Sequence, residues 1–114
     1  MAGPDGTPLL TVSRHVGPPA GGGAAMVVVT AVGQVDLETV ELLRLALLDA
    51  VDGSRPVCCD LAGVEFFGAA GANALVAAHN LATETGCRFA ISGARDTVRR
   101  VLRITGLDDL LVGC

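Results

Sequence analysis

The stretch PVCCDLAGVEFFGAAGANAL, residues 56–75, decides the fold. It opens on a short continuous apolar run, PVCCDL (56–61), the mark of a strand buried on both faces. It then passes into an Ala-rich segment in which Leu75, Ala78, Leu81 and Ala82 make one helical stripe. Gly86 stands where such a helix would stop, which predicts a helix over about 70–85. A strand handing over to a helix is the repeating unit of an α/β domain. The joint between them, FFGAAG (66–71), carries no hydroxyl, acid, base or thiol.

Working outward, LLTVSRHV (9–16) and MVVVTAV (26–32) read as two strands joined by the long flexible turn GPPAGGGAA (17–25). Asp36 then precedes Val40, Leu43, Leu47 and Val51 at helical spacing, and DGS follows, predicting a helix over about 37–51 with Asp36 as its N-cap. Downstream, CRFAIS (87–92) supplies a strand, DTVRRVLRITG a third helix stopped by Gly106, and LDDLLVGC a final short element with room for a last strand. Strands alternating with helices need crossovers, so the later strands should be parallel and the first hairpin should add an antiparallel edge. The expectation is a single α/β domain over 9–114 behind a polar lead, 1–8: a mixed sheet covered by three to four helices. In such sheets ligands and partners gather at the carboxyl ends of the strands, where FFGAAG lies.

A chain of 114 residues makes one domain that hides roughly 65 % of its unfolded surface. Only Phe66, Phe67 and Phe89 are aromatic, so Val, Leu, Ile and Ala must build the core. Twelve acids against eight bases, all of them Arg, give a formal charge of −4, which offers no whole-molecule attraction to nucleic acid or an anionic membrane. Apolar runs such as AAMVVVTAVG are too short to span a bilayer and MAGPDGTPLL lacks a basic signal start, so a cytoplasmic protein is expected. Cys58, Cys59, Cys87 and Cys114 show no CxxC spacing, and His15 and His79 lie far apart, so neither a metal nor a cofactor is expected. Cys58 and Cys59 read as small core hydrophobes.

Three segments, GQVDLETVELLRLAL (33–47), CDLAGVEFFGAAGANAL (59–75) and VRRVLRITGLDDLL (98–111), resemble in order and spacing the STAS domain family, best represented by bacterial anti-sigma-factor antagonists. The resemblance runs over nearly the whole chain from about residue 9. It implies a non-enzymatic interaction module that binds an anti-sigma factor of the serine-kinase type and so regulates sigma-factor-dependent transcription. In the family the joint commonly reads Asp-Ser-Ser-Gly, the first serine being phosphorylated by the partner kinase. Here those positions are Gly68, Ala69, Ala70 and Gly71. A phosphoserine would add about −1.5 to −2 charges at a helix N-terminus. Without the hydroxyl the expectation is a small, neutral contact surface that stays permanently in its dephosphorylated form, set against a joint that does nothing but connect.

Other residues carry two readings each. Asp36 is first an N-cap and second a partner contact. Thr39, in the first turn, is a solvated helix residue or an accessible stray phosphorylation target. Leu45 and Leu48 fall among Glu41, Arg44, Asp49 and Asp52 when plotted at ~100° per residue, which suggests a docking patch beside Ala69. Arg95, Arg99 and Arg103 read as the solvated stripe of the third helix. Against the interaction module stand a small-ligand or nucleotide-sensing STAS domain in a larger assembly or beside a transporter, and, last, an enzyme using a low-pKa Cys87 or Cys114. The hairpin's free edge leaves room for a homodimer.

Overall fold

The computed structural model describes residues 9–17, 25–53 and 55–111. The strands are β1 (Leu10–Gly17), β2 (Met26–Val35), β3 (Val57–Phe67) and β4 (Phe89–Ser92), and the helices α1 (Val40–Val51), α2 (Ala69–Thr85) and α3 (Asp96–Ile104). They form one sheet in the order β1-β2-β3-β4, with β1 antiparallel to β2 and the remaining pairs parallel. This is the mixed α/β sheet that the alternation of elements implies. The expected last strand reduces to a 3-10 turn, Asp108–Leu110, and a single bridge from Leu111 to Ile91. The polar lead and most of the 17–25 turn lie outside the described residues.

Burial follows the pleat. Val27, Val29 and Ala31 of β2, Val57, Cys59 and Leu61 of β3, and Phe89 and Ile91 of β4 are all buried on one face. Leu43, Leu47 and Val51 of α1, Leu75 and Ala78 of α2, and Val98 and Leu102 of α3 close the same core. The helices thus sit where their apolar stripes meet a continuous aliphatic surface, with no Tyr or Trp needed. Gly86 takes the left-handed conformation at the end of α2 (φ 72°), as expected of a helix-stopping glycine.

Two boundaries differ from the sequence reading. The central strand runs to Phe67 rather than to Leu61, because its register against β2 shifts twice, between Thr30 and Val32 and between Gly33 and Gln34. Each shift inserts an extra β3 residue and breaks the period-two pattern that would have revealed the strand. Phe66 and Phe67 therefore belong to β3 and not to a loop. Helix α1 begins at Val40, after a turn over 36–39.

The cysteines divide. Cys59 packs as a small hydrophobe, burial pushing its thiol up to about 12. Cys58, equally buried, is disulfide-bonded, so its role goes beyond the packing expected of it. Among the described residues no helix is long and apolar enough to cross a membrane, and no cluster of His, Cys, Asp and Glu could hold a metal.

Leu47 is fully buried under α1. Replacing it with alanine should lower the unfolding free energy by about 2–5 kcal/mol, read as a lower urea midpoint at unchanged slope.

Candidate functional site

Strands β2 and β3 end side by side, and the backbone N–H of Gly68 donates to the carbonyl of Val35 at 3.0 Å. From that tie one chain turns into α1 and the other into α2. The two openings enclose a groove of about 730 Å³ at the carboxyl end of the sheet. Asp36, Leu37, Val40 and Arg44 line it from the α1 side. From the α2 side come Phe66, the backbone of Gly68, Ala69 and Ala70, and then Asn73.

The α1 rim is built by hydrogen bonds. The Asp36 carboxylate accepts from the backbone N–H of Glu38 at 2.9 Å and of Thr39 at 3.1 Å, and its carbonyl accepts the Val40 N–H at 2.8 Å. The expected role of Asp36 as the N-cap of the helix is corrected: Thr39 is the N-cap of α1, and the Asp36 carboxylate instead satisfies the amides of the turn that precedes it. Thr39 is 1 % exposed. Its hydroxyl donates to the Gln34 carbonyl at 2.7 Å and accepts from the Asp36 N–H at 3.0 Å, locking the turn to the end of β2. The expectation of an accessible Thr39 hydroxyl is overturned, because a turn rather than a helix surrounds it. This closed set of bonds pushes Leu37 outward to 86 % exposure.

The α2 rim is shaped by sterics. A Cβ on Gly71 would lie 2.6 Å from the Phe67 ring and 2.9 Å from Val35, so only glycine lets the first turn of α2 settle on the end of the sheet. Gly68 differs. Its backbone is extended (φ −89°, ψ −177°), and a Cβ there would meet the Phe66 ring at an ordinary 3.4 Å. No side chain caps α2. Ala69 is exposed at the opening of the helix. Phe66, turned out of the core by the second register shift, is 51 % exposed beside it.

The charges on the rim are few. Arg44 holds Glu41 through two bonds of 2.6 Å each, which lowers the Glu41 carboxyl and raises the Arg44 guanidinium from their ordinary values. Among the described residues no cation pairs with Asp36 or Glu38, and the two leave the mouth acidic around an apolar floor.

The structure brings together Asp36, Gly68, Ala69 and Ala70 from the residues expected at the site, with Gly71 packed beneath. Leu45 is half exposed and Leu48 partly buried, and neither lines the groove. Phe66, Leu37 and Asn73 were missed. The Phe66-Phe67 doublet was the available signal, since a strand that buries one must turn the other outward. Of the thiols weighed for nucleophilic chemistry, Cys114 lies outside the described residues, and burial raises the Cys87 thiol while its Sγ donates to the Arg55 carbonyl at 3.0 Å. A reactive thiolate needs the opposite shift. Arg99, Arg100 and Arg103 are exposed, and Arg95 donates from Nε to the Ala62 carbonyl at 3.0 Å.

The family described as Mlab, STAS domain matches residues 22–113, more than three quarters of the chain. The chain belongs to the STAS domain family. Solved structures carry the same fold. This STAS domain is similar to the anti-sigma factor antagonist from Mycobacterium paratuberculosis at 28 % identity, over 97 % of this chain and 87 % of that one, with a TM-score of 0.68. It is similar to SpoIIAA in its unphosphorylated form at 16 % identity, over 90 % and 88 % of the two chains, with a TM-score of 0.69. The STAS domain protein from Planctomyces limnophilus aligns at 24 % identity over 89 % and 90 %, with a TM-score of 0.68. No curated protein matches in sequence. Membership and similarity to anti-sigma-factor antagonists support a role in protein interaction.

Replacing Gly71 with alanine should cost about 1–3 kcal/mol through overpacking, whereas Gly68→Ala should change stability by no more than about 0.5 kcal/mol. Thr39→Val should cost about 1–3 kcal/mol by stranding the Gln34 carbonyl and the Asp36 N–H. Urea unfolding of the three variants checks both statements.

Proposed function

We propose that this STAS domain is a non-catalytic docking module that binds an anti-sigma factor of the serine-kinase type through the groove between α1 and α2. By taking up that factor it would regulate sigma-factor-dependent transcription. It would do so without a phosphorylation switch at Gly68–Gly71. The observation that carries this reading is the rim itself: a neutral Gly68-Ala69-Ala70 edge between two exposed apolar side chains, Phe66 and Leu37. Apolar side chains gathered on one groove, as Phe66 and Leu37 are, mark an interaction surface in a way that singly scattered ones do not. The 28 % identical structure of an anti-sigma factor antagonist supports the choice of partner class. Of the solved relatives, SpoIIAA is known in both a phosphorylated and an unphosphorylated form. This chain has no hydroxyl at Gly68 to Gly71 to be so divided.

The physics of a helix opening explains what the alanine does. A phosphate at Ala69 would be held by free backbone amides and the helix dipole. It would also set two negative charges beside Asp36 and Glu38 and cover the apolar floor. Alanine keeps the floor open at all times.

The groove volume also falls in the range of small-ligand sites, which favours ligand sensing as the second reading. A nucleotide fits it poorly, because Arg44 is already committed to Glu41 and the negative charges of Asp36 and Glu38 at the mouth repel phosphate.

The test is to incubate the full chain with each kinase-type anti-sigma factor of its own organism and ATP, recording complex and phosphate together. We expect a stable complex with no phosphate on this chain. Ala69→Glu should weaken it at least tenfold, and Ala69→Ser should restore phosphate transfer. Absence of any complex would overturn the proposal, and saturable ATP or GTP binding by the chain alone would put the second reading in its place.

A further inference from the structure

The outer edge of β1 is unpaired among the described residues, since β1 ends the sheet. The Gln34 N–H donates to the Leu9 carbonyl, and Leu10 faces Gly33. In an antiparallel ladder this fixes the alternation. Thr11, Ser13, His15 and Gly17 turn their backbone groups toward β2, so Leu10, Val12, Arg14 and Val16 turn theirs outward. No proline or bulge blunts this edge over its eight residues. Native proteins usually cover or disrupt an edge of that length.

A second observation lies on the neighbouring helix. Arg14 pairs with Asp49 of α1, so the Asp49 flank of that helix stands over β1. At ~100° per residue, Leu42 and Leu45 lie on either side of Asp49, away from the groove flank of Val40 and Arg44. They are 48 % and 55 % exposed, and Val16 of the strand is 54 % exposed. An open ladder and an apolar strip thus share one side of the molecule.

We propose that β1 pairs with β1 of a second copy of this chain, antiparallel about a two-fold axis at Ser13, and that the α1 helices meet above the joined strands. The strand's own sequence selects this occupant. Centred on Ser13, LTVSRHV pairs Leu10 with Val16 and Val12 with Arg14, so every outward backbone group between them finds a partner. Centring on Arg14 instead would set two guanidinium groups face to face, and centring on Val12 would leave Val16 without a described partner. On the other face of the sheet, Thr11 meets His15, polar against polar. Each Arg14 arrives already neutralised by its own Asp49. The association buries Leu42, Leu45 and Val16 and needs no change of fold.

Sedimentation of the full chain from low micromolar to near-millimolar concentration should show a species of twice the 11.5 kDa chain mass. Val12→Pro removes an outward N–H while sparing the ladder to β2, and it should abolish that species. Leu42→Glu, which leaves the strand intact, should weaken association at least tenfold. In a Cys87→Ser background, Ser13→Cys should cross-link to itself under mild oxidation, because directly opposed residues lie within disulfide reach, and Thr11→Cys should not. A monomer at all concentrations would overturn the proposal. So would a dimer indifferent to both Val12→Pro and Leu42→Glu, or cross-linking of Thr11→Cys as fast as that of Ser13→Cys.

Discussion

The structure turns on the contact between the first turn of α2 and the ends of β2 and β3. Gly71 sits against Phe67 and Val35 with no room for a Cβ, while Gly68 donates to the Val35 carbonyl. That contact brings two helix openings to one point. Because β2 and β3 are parallel neighbours, both crossovers start at the same end of the sheet, and the space between their departing chains becomes the groove. The backbone at Gly71 is an ordinary helical one. What the position demands is the absence of a side chain, and the demand comes from packing.

Much of this was legible in the sequence. Helix α2 from its apolar stripe to Gly86 and the parallel sheet with an antiparallel edge followed from periodicity and local chemistry, whereas the N-cap of α1 fell on Thr39 and not on Asp36. The departures have two causes, one long-range and one local. The extra residues that lengthen β3 are long-range features, set by how that strand meets β2, and no local window contains them. For the same reason Phe66 read as part of a loop. A continuous helix over 37–51 would leave the Thr39 hydroxyl on the surface, but α1 starts only at Val40. A turn instead folds its hydroxyl back onto Gln34.

The missing hydroxyl at the head of α2 changes the electrostatics more than the shape. Gly68 tolerates a side chain, and Ala69 is exposed, so nothing steric forbids an Asp-Ser pair there. The fold therefore does not require the absence of either, and the change bears on the surface. With Asp36 and Glu38 already at the mouth, a neutral α2 rim keeps the groove from becoming uniformly negative. A partner with apolar residues flanked by cations matches that arrangement, with the charges setting orientation and rate while the apolar contacts supply affinity.

Helix α1 offers its two flanks to two different tasks. Val40 and Arg44 face the groove, whereas Leu42 and Leu45 stand on the side of β1 and Asp49. Pairing through β1 would consume the second flank and leave the first in solvent. Each dimer would then present two grooves related by the same axis. A partner that is itself two-fold could engage both, and the second contact would form at the effective concentration set by the first, raising avidity by about 10²–10⁴ over a single groove. A module without a chemical switch would in that case be governed by its own concentration, since dilution to monomers removes the second contact and with it most of the binding.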